Sequence, residues 1–230
     1  MVIGGYQKTT LLDYPGHVAA TVFTYGCNFR CPFCHNSGLL GMYSCPRTEE
    51  EEVLAFLKKR KNILTGVCIT GGEPTLQQDL IPFLQKIKAL GYKIKLDTNG
   101  YLPQILSSLL EKELLDYIAM DIKSGPSGYT AATGLQLVDF SRITESIRLI
   151  EGCGLSYEFR TTLVREFHGE QDLLEITGML SPASPYYLQC FRDGDNVLQS
   201  GLHAHDEKHL QHFLTLVQRI LPKAALRGVR

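Results

Sequence analysis

Residues 67–100 read VCITGGEPTLQQDLIPFLQKIKALGYKIKLDTNG. Val67–Thr70 is a short β-branched run that suits a buried strand, and Lys93–Asp97 is a second. Between them Asp79–Leu90 places Leu80, Phe83, Leu84 and Ile87 on one helical face, and Gly91 stops the helix. Working outward, further strand runs stand at Val18–Thr24, Tyr117–Asp121, Tyr157–Val164 and Tyr186–Phe191. Helical spacing recurs at Thr48–Lys61, Leu102–Leu110, Phe140–Ile150, Glu170–Leu180 and His205–Leu221. Thr48 and Glu51 lie in capping-box register, with Lys58, Lys59 and Arg60 at the basic end of that helix. Six strand–helix units in succession predict an α/β fold with a parallel sheet and right-handed crossovers, either an open doubly wound sheet or a curled partial barrel. Six are too few for a closed eight-unit barrel. The segment 125–134, GPSGYTAATG, reads as the longest turn-rich loop, and neither a repeat nor a linker divides the chain.

Composition narrows the classes. The 230 residues are 44% hydrophobic and 20% charged, which suits a folded domain. The 23 Lys and Arg against 24 Asp and Glu argue against a general nucleic-acid partner. No apolar run reaches the ~20 residues of a membrane span, and MVIGGYQKTTLLDYPG has no leader pattern, so a cytoplasmic protein is expected. Thiols are kept reduced in that compartment. The seven Cys therefore read as ligands, nucleophiles or core residues rather than disulfides.

Parallel sheets carry their chemistry at the carboxyl ends of strands. Those ends are unusually polar here. They carry Gly26-Cys27, then Gly71-Gly72-Glu73-Pro74, then Asp97-Thr98-Asn99-Gly100, then Asp121-Ile122-Lys123. Glu158, Arg160 and Thr162 share one face of the fifth run, and Gln189–Arg192 ends the sixth. Packing does not account for polar residues at so many successive strand ends, which suggest one site rimmed by the sheet.

Cys27, Cys31 and Cys34 lie within eight residues, with Pro32 and Phe33 between the last two. Three buried core thiols are one reading. The neighbouring Asn28, Arg30, His35 and Asn36, without strand or helix periodicity, speak against it. A structural zinc site needs four ligands, and the fourth would have to be His35 or Cys45. An iron–sulfur cubane normally takes four thiolates, so three would leave one iron open to a chelating ligand.

The CxxxCxxC spacing, with the aromatic Phe33 before the third Cys, resembles the signature of radical S-adenosylmethionine (SAM) enzymes. The resemblance implies that Cys27, Cys31 and Cys34 hold a [4Fe-4S] cluster whose fourth iron is chelated by SAM. Electron transfer from the reduced cluster then yields a 5′-deoxyadenosyl radical. It also implies a partial (β/α)6 barrel as one domain over 1–230, with an N-terminal extension 1–17, a core 18–195 and a C-terminal helix and tail 196–230. Gly72 and Glu73 resemble the family's GGEP motif, where the backbone closely approaches the amino group of SAM.

The LDTNG and DxK segments resemble glycyl-radical-enzyme activases. They imply that Asp97, Thr98, Asp121 and Lys123 bind SAM, and that Asp97, Thr98, Asp121 and the Ala119 carbonyl enclose a monovalent cation. Arg160 would add a charge inside the barrel, paired with Glu158 or with a ligand carboxylate. Ile3–Lys8, Leu12–Gly16, KLDTNG, Glu158–Leu163 and Tyr187–Arg192 are similar to the activating proteins of anaerobic ribonucleoside-triphosphate reductase. That resemblance implies a glycyl radical enzyme as protein substrate and flavodoxin or ferredoxin as electron donor. An activase of a pyruvate formate-lyase-like enzyme, a radical SAM enzyme acting on a small molecule or peptide, and a non-catalytic metal-binding module remain alternatives. Cys68 reads as core, Cys153 as a helix-end residue, and Cys45 and Cys190 as core or surface. His205, His209 and His212 share a helical face that reads as solvated.

Overall fold

The strand–helix alternation is present in the computed structural model, which describes residues 1–41 and 47–228. The strands are β1 (Ile3–Thr10), β2 (Ala19–Thr24), β3 (Gly66–Gly71), β4 (Lys93–Thr98), β5 (Tyr117–Asp121), β6 (Ser156–Leu163), β7 (Tyr186–Cys190) and β8 (Ala225–Arg227). The helices are α1 (Glu50–Arg60), α2 (Leu80–Ala89), α3 (Pro103–Glu111), α4 (Tyr129–Thr133), α5 (Phe140–Gly152), α6 (Glu170–Thr177) and α7 (Glu207–Gln218).

The chain forms two compact units. The first comprises Met1–Asn28, Gly38–Thr98 and Gln104–Ala119. In it β2, β3 and β4 run parallel in that order, with Ala20 beside Val67 and Val67 beside Ile94. Val22, Val67, Cys68, Ile69, Ile94 and Leu96 are fully buried, as a parallel sheet covered on both faces requires. The apolar stripe read in α2 is the one that is buried: Leu80, Phe83, Leu84 and Ile87. Each such side chain contributes about 1.5–3 kcal/mol on leaving water.

The second unit comprises Phe29–Ser37, Asn99–Pro103 and Met120–Arg230. In it β6, β7 and β8 are parallel, with Phe159 beside Tyr186 and Tyr187 beside Ala225. Ile143, Ile147 and Ile150 of α5, Leu173 and Ile176 of α6, and Leu210, Phe213 and Val217 of α7 are buried.

Four expectations are corrected. The sheet is not purely parallel: β1, inside the segment read only as an extension, pairs antiparallel with β2. Its sequence IGGYQKTT lacks apolar alternation because only its ends, Ile3 and Thr10, are buried. Edge strands of this kind keep polar residues outward. A three-residue β8 closes the other end of the chain. The capping box at Thr48 does not form. Thr48 instead bridges to Ile3, its N–H donating to the Ile3 carbonyl at 3.0 Å, and the helix starts at Glu50. Within 125–134, residues Tyr129–Thr133 form α4, with Tyr129, Ala132 and Thr133 buried and Gly134 ending it at φ 66°.

Candidate active site

In the first unit, β2 runs into Gly26-Cys27 and β3 runs into Gly71-Gly72-Glu73. These two strand ends are held backbone to backbone. The Gly72 N–H donates to the Thr24 carbonyl (2.9 Å), and the Glu73 N–H donates to the Gly26 carbonyl (2.8 Å). A Cβ on Gly72 would fall 2.0 Å from the Gly26 oxygen, so only glycine permits this approach. The turn thus fixes the backbone that leads into Cys27.

Glu73 is buried, 1% exposed. Its Oε1 accepts from the Thr75 N–H (3.1 Å), the Thr75 hydroxyl (2.6 Å) and the Thr98 hydroxyl (2.7 Å). Thr98 ends β4, so this bond ties the ends of β3 and β4 together. Asp97, one residue earlier, is hydrogen-bonded to the ammonium of Lys95.

In the second unit, the loop bearing Cys31 and Cys34 is pinned by its backbone. The Cys34 N–H donates to the Cys31 carbonyl (3.0 Å). The Cys34 carbonyl accepts from the Leu198 N–H (3.1 Å), and the Pro32 carbonyl from the Gln199 N–H (2.9 Å). His35 Nε2 is 2.7 Å from the Arg192 carbonyl, and the Ser37 hydroxyl donates to the Asn196 carbonyl at 2.7 Å. Cys31 is buried, and Cys27 and Cys34 are half-buried.

Phe33 is buried, with its ring 5.6 Å from those of Phe167 and His168. His168 is itself buried, 1% exposed. Its Nδ1 accepts from the Val164 N–H (3.0 Å), which leaves Nε2 to donate to the Lys123 carbonyl (2.7 Å). Burial pushes its pKa below the ordinary imidazole value, opposed by those hydrogen bonds, so the ring is neutral and its tautomer fixed. It links the aromatic of the cysteine loop to the backbone of Lys123.

Asp121 ends β5. It accepts from Arg160 Nε at 2.8 Å and from Lys123 Nζ at 3.3 Å. Burial alone would raise its pKa, but the two cations overcome this and hold the carboxyl far below the usual carboxylate range. Arg160 also lies 3.8 Å from Glu158, which takes a bidentate pair from Arg227 at 2.8 and 3.0 Å. Glu158, the protein partner expected for Arg160, is thus mainly claimed by Arg227, and Asp121, which the sequence did not suggest as a partner, is the close one.

Lys95, His168, Leu198, Gln199 and Arg227 were not singled out from the sequence. Lys95 had a legible signal: a lysine between Ile94 and Leu96 in a doubly covered strand must pair inside. The others had none, because their contacts join segments far apart in the chain. Cys68 is core, Cys153 follows α5 as its cap, and burial raises the pKa of Cys190. Cys45 lies outside the described residues. His205 precedes α7, its Nε2 2.9 Å from the His168 carbonyl, while His209 and His212 are exposed beside Asp206 and Glu170.

Three comparisons identify the class. The model of the radical SAM superfamily matches residues 21–176. The chain belongs to the radical SAM superfamily. A Methanocaldococcus jannaschii protein provisionally named a glycyl-radical enzyme activating enzyme is 30% identical over 200 residues, 84% of this chain and 81% of the relative. A probable GTP 3′,8-cyclase of Saccharolobus islandicus is 34% identical over 135 residues, 57% of this chain and 42% of that protein. Among solved structures, Streptococcus suis SuiB bound to SAM has a TM-score of 0.69 at 15% identity over 89% of this chain. The chain spans about half of SuiB, 49%. Escherichia coli QueE has a TM-score of 0.55 at 15% identity, covering 98% of this chain and 93% of that one. The fold is thus the α/β partial barrel of radical SAM enzymes, and the protein is a radical SAM enzyme.

The family implies a [4Fe-4S] cluster and SAM, and the donor set fits. Three thiols share one loop whose backbone is hydrogen-bonded on both sides of Cys34. Each thiolate of a cubane binds a different iron, so the three need not converge on one point. Among the described residues, no three His, Cys, Asp or Glu side chains converge as a single ion would require. The cation implied beside Asp97 and Asp121 finds no support: Lys95 holds the first carboxylate, and Arg160 and Lys123 the second.

No helix among the described residues is long and apolar enough to cross a membrane.

Proposed function

We propose that this chain is an activase that installs a glycyl radical on a partner enzyme. The observation that carries the reading is the 30% identity to the M. jannaschii relative across most of both chains. Cys27, Cys31 and Cys34 would hold a [4Fe-4S] cluster, which would supply the electron for cleavage of a carbon–sulfur bond of SAM. Gly72 would offer backbone to the amino group of SAM, and Glu73 would offer it a carboxylate oriented by Thr75 and Thr98. Asp97 and Thr98 line the end of the neighbouring strand, β4. Asp121, with Arg160 and Lys123, forms a locally positive set suited to the SAM carboxylate and ribose. Phe33 packs the cysteine loop against His168. The hydrogen atom abstracted from a glycine α-carbon of the partner ends on 5′-deoxyadenosine.

The finer assignment is to anaerobic ribonucleoside-triphosphate reductase, with flavodoxin or ferredoxin as donor. It rests on the N-terminal DYPG block and the KLDTNG, EFRTTL and YLQCFR segments. A second reading, a nucleotide-modifying radical SAM enzyme, draws on the identity to the GTP 3′,8-cyclase, of which the chain spans 42%.

The test is anaerobic. The reconstituted protein is reduced with dithionite, given SAM, and assayed for 5′-deoxyadenosine and methionine. A candidate glycyl radical enzyme is then added and examined by electron paramagnetic resonance. Cys31→Ala should abolish cluster and product while the fold survives, because one of three thiolates is lost. Product formation by Cys31→Ala would sink the assignment of the cluster ligands. Radical formation on no glycine-bearing partner, with turnover of a nucleotide instead, would favour the second reading.

A further inference from the structure

Among the described residues, Lys95 is a buried cation with no role in the proposed function. It lies in the middle of β4, 2% exposed, between Ile94 and Leu96. Residues two apart in a strand share a face, so its ammonium reaches Asp97 on the same side and hydrogen-bonds Oδ1. The ammonium also stands 5.9 Å from the centroid of the Tyr117 ring, within cation–π range, and 3.9 Å from Cys68 Sγ. Three elements, β3, β4 and β5, therefore enclose this one charge. Asp97 is only 15% exposed.

A carboxylate this enclosed draws one compensating charge at a stated oxygen, and here the chain itself supplies it. A monovalent metal ion at the same oxygen would face the ammonium at close range, in an enclosed setting where repulsion is less screened than in bulk water. Asp121, the other carboxylate that the resemblance gave to a cation, is likewise occupied by Arg160 and Lys123.

We propose that Lys95 is a tethered substitute for a monovalent cation: its ammonium positions Asp97 for SAM, and the enzyme binds SAM without sodium or potassium. The inference rests on the assignment of Asp97 to the SAM site. Lys95 is a positioning residue, acting through Asp97.

The experiment compares SAM binding by the anaerobically reconstituted enzyme in buffers whose only cation is tetramethylammonium, sodium or potassium. Tetramethylammonium is too large to enter a carboxylate site. Total ionic strength is held equal so that screening is constant. The wild-type dissociation constant should agree within about twofold across the three, well inside the span of one tenfold step. Lys95→Met, which keeps the length and loses the charge, should weaken SAM binding by about tenfold or more in tetramethylammonium, and sodium or potassium should restore part of it. Restoration separates positioning from a merely structural pair, which added ions would not rescue.

A wild type whose affinity rises tenfold with sodium or potassium would overturn the proposal. So would a Lys95→Met that binds SAM normally in tetramethylammonium. Should Lys95→Met not fold, the wild-type titration still decides, supported by the thermal midpoint of the cluster-free protein, which should show no preference for sodium or potassium over tetramethylammonium. Loss of SAM binding in Asp97→Ala, at unchanged iron content, tests the underlying reading separately. If Asp97→Ala binds SAM normally, it is that reading which fails, and the proposal with it.

Discussion

Glu73 and Asp121 are both acidic residues at strand carboxyl ends, and they are held in opposite ways. Glu73, buried in the first unit, takes three hydrogen bonds on one oxygen from Thr75 and Thr98. Asp121, in the second, takes a guanidinium and an ammonium. Hydroxyl and amide donors orient a carboxylate and leave its charge in place, whereas two cations reverse the sign of its surroundings. One fold therefore presents a negative strand end and a positive one from the same class of residue.

The comparison breaks most sharply at Arg160. Arg160→Leu leaves Asp121 with Lys123 alone at 3.3 Å, and should cost about 3 kcal/mol of stability in denaturant melts of the cluster-free protein. Adding Asp121→Asn should recover part of that loss, since the uncompensated charge is then gone. A cost within error would mean that Asp121 is solvated rather than ion-paired.

The Glu73 side of the contrast is expected to yield less. Glu73→Ala removes the acceptor shared by two buried threonine hydroxyls and should cost about 2 kcal/mol, while Glu73→Gln keeps an acceptor and should cost about half as much. Equal losses in the two variants would show that the charge, not the acceptor geometry, matters there. Thr98→Val removes the Thr98–Glu73 bond between the ends of β3 and β4, and about 1 kcal/mol is expected by the same measurement.

The finest distinction is in pH. Burial lowers the folded pKa of His168, and likewise that of His205, below the ordinary 6.5. As pH falls below that value the unfolded chain binds protons first, so stability declines; above it nothing is lost. The folded pKa of Asp121 is depressed below 3.8, so its contribution is complete above that pH and is lost as pH falls further. Thermal midpoints followed from neutral to acid should thus drop in two stages, and Arg160→Leu should diminish the second while leaving the first.

Much of this was legible in the chain. The period of α2 named its buried face, and all four predicted residues are core. The polar strand ends and the cysteine spacing are local patterns, and they marked Gly72, Glu73, Asp97 and Asp121 at ends of β3, β4 and β5. The first strand was not legible, because an edge strand with two glycines and an outward polar face lacks the alternation that marks a half-buried one. Nor was α4, where a five-residue helix hides among turn-forming glycines and serines.

The sequence by itself determined the alternation of strand and helix, the CxxxCxxC loop, and the glycine and acidic residues at the strand ends. Those follow from periodicity and from residue types whose chemistry is fixed at short range. Only the tertiary structure decided which charge meets which. Arg160 chose Asp121 over Glu158, Arg227 arrived from the end of the chain to claim Glu158, Lys95 turned to Asp97, and His168 joined Phe33 to Lys123. Lys95 and Asp97 are two residues apart, but their pairing is enforced by burial against Cys68 and Tyr117. The other partners are dozens of residues apart. A polar group removed from water must find its complement among whatever the fold brings near, and pairing at that range leaves no mark in local periodicity.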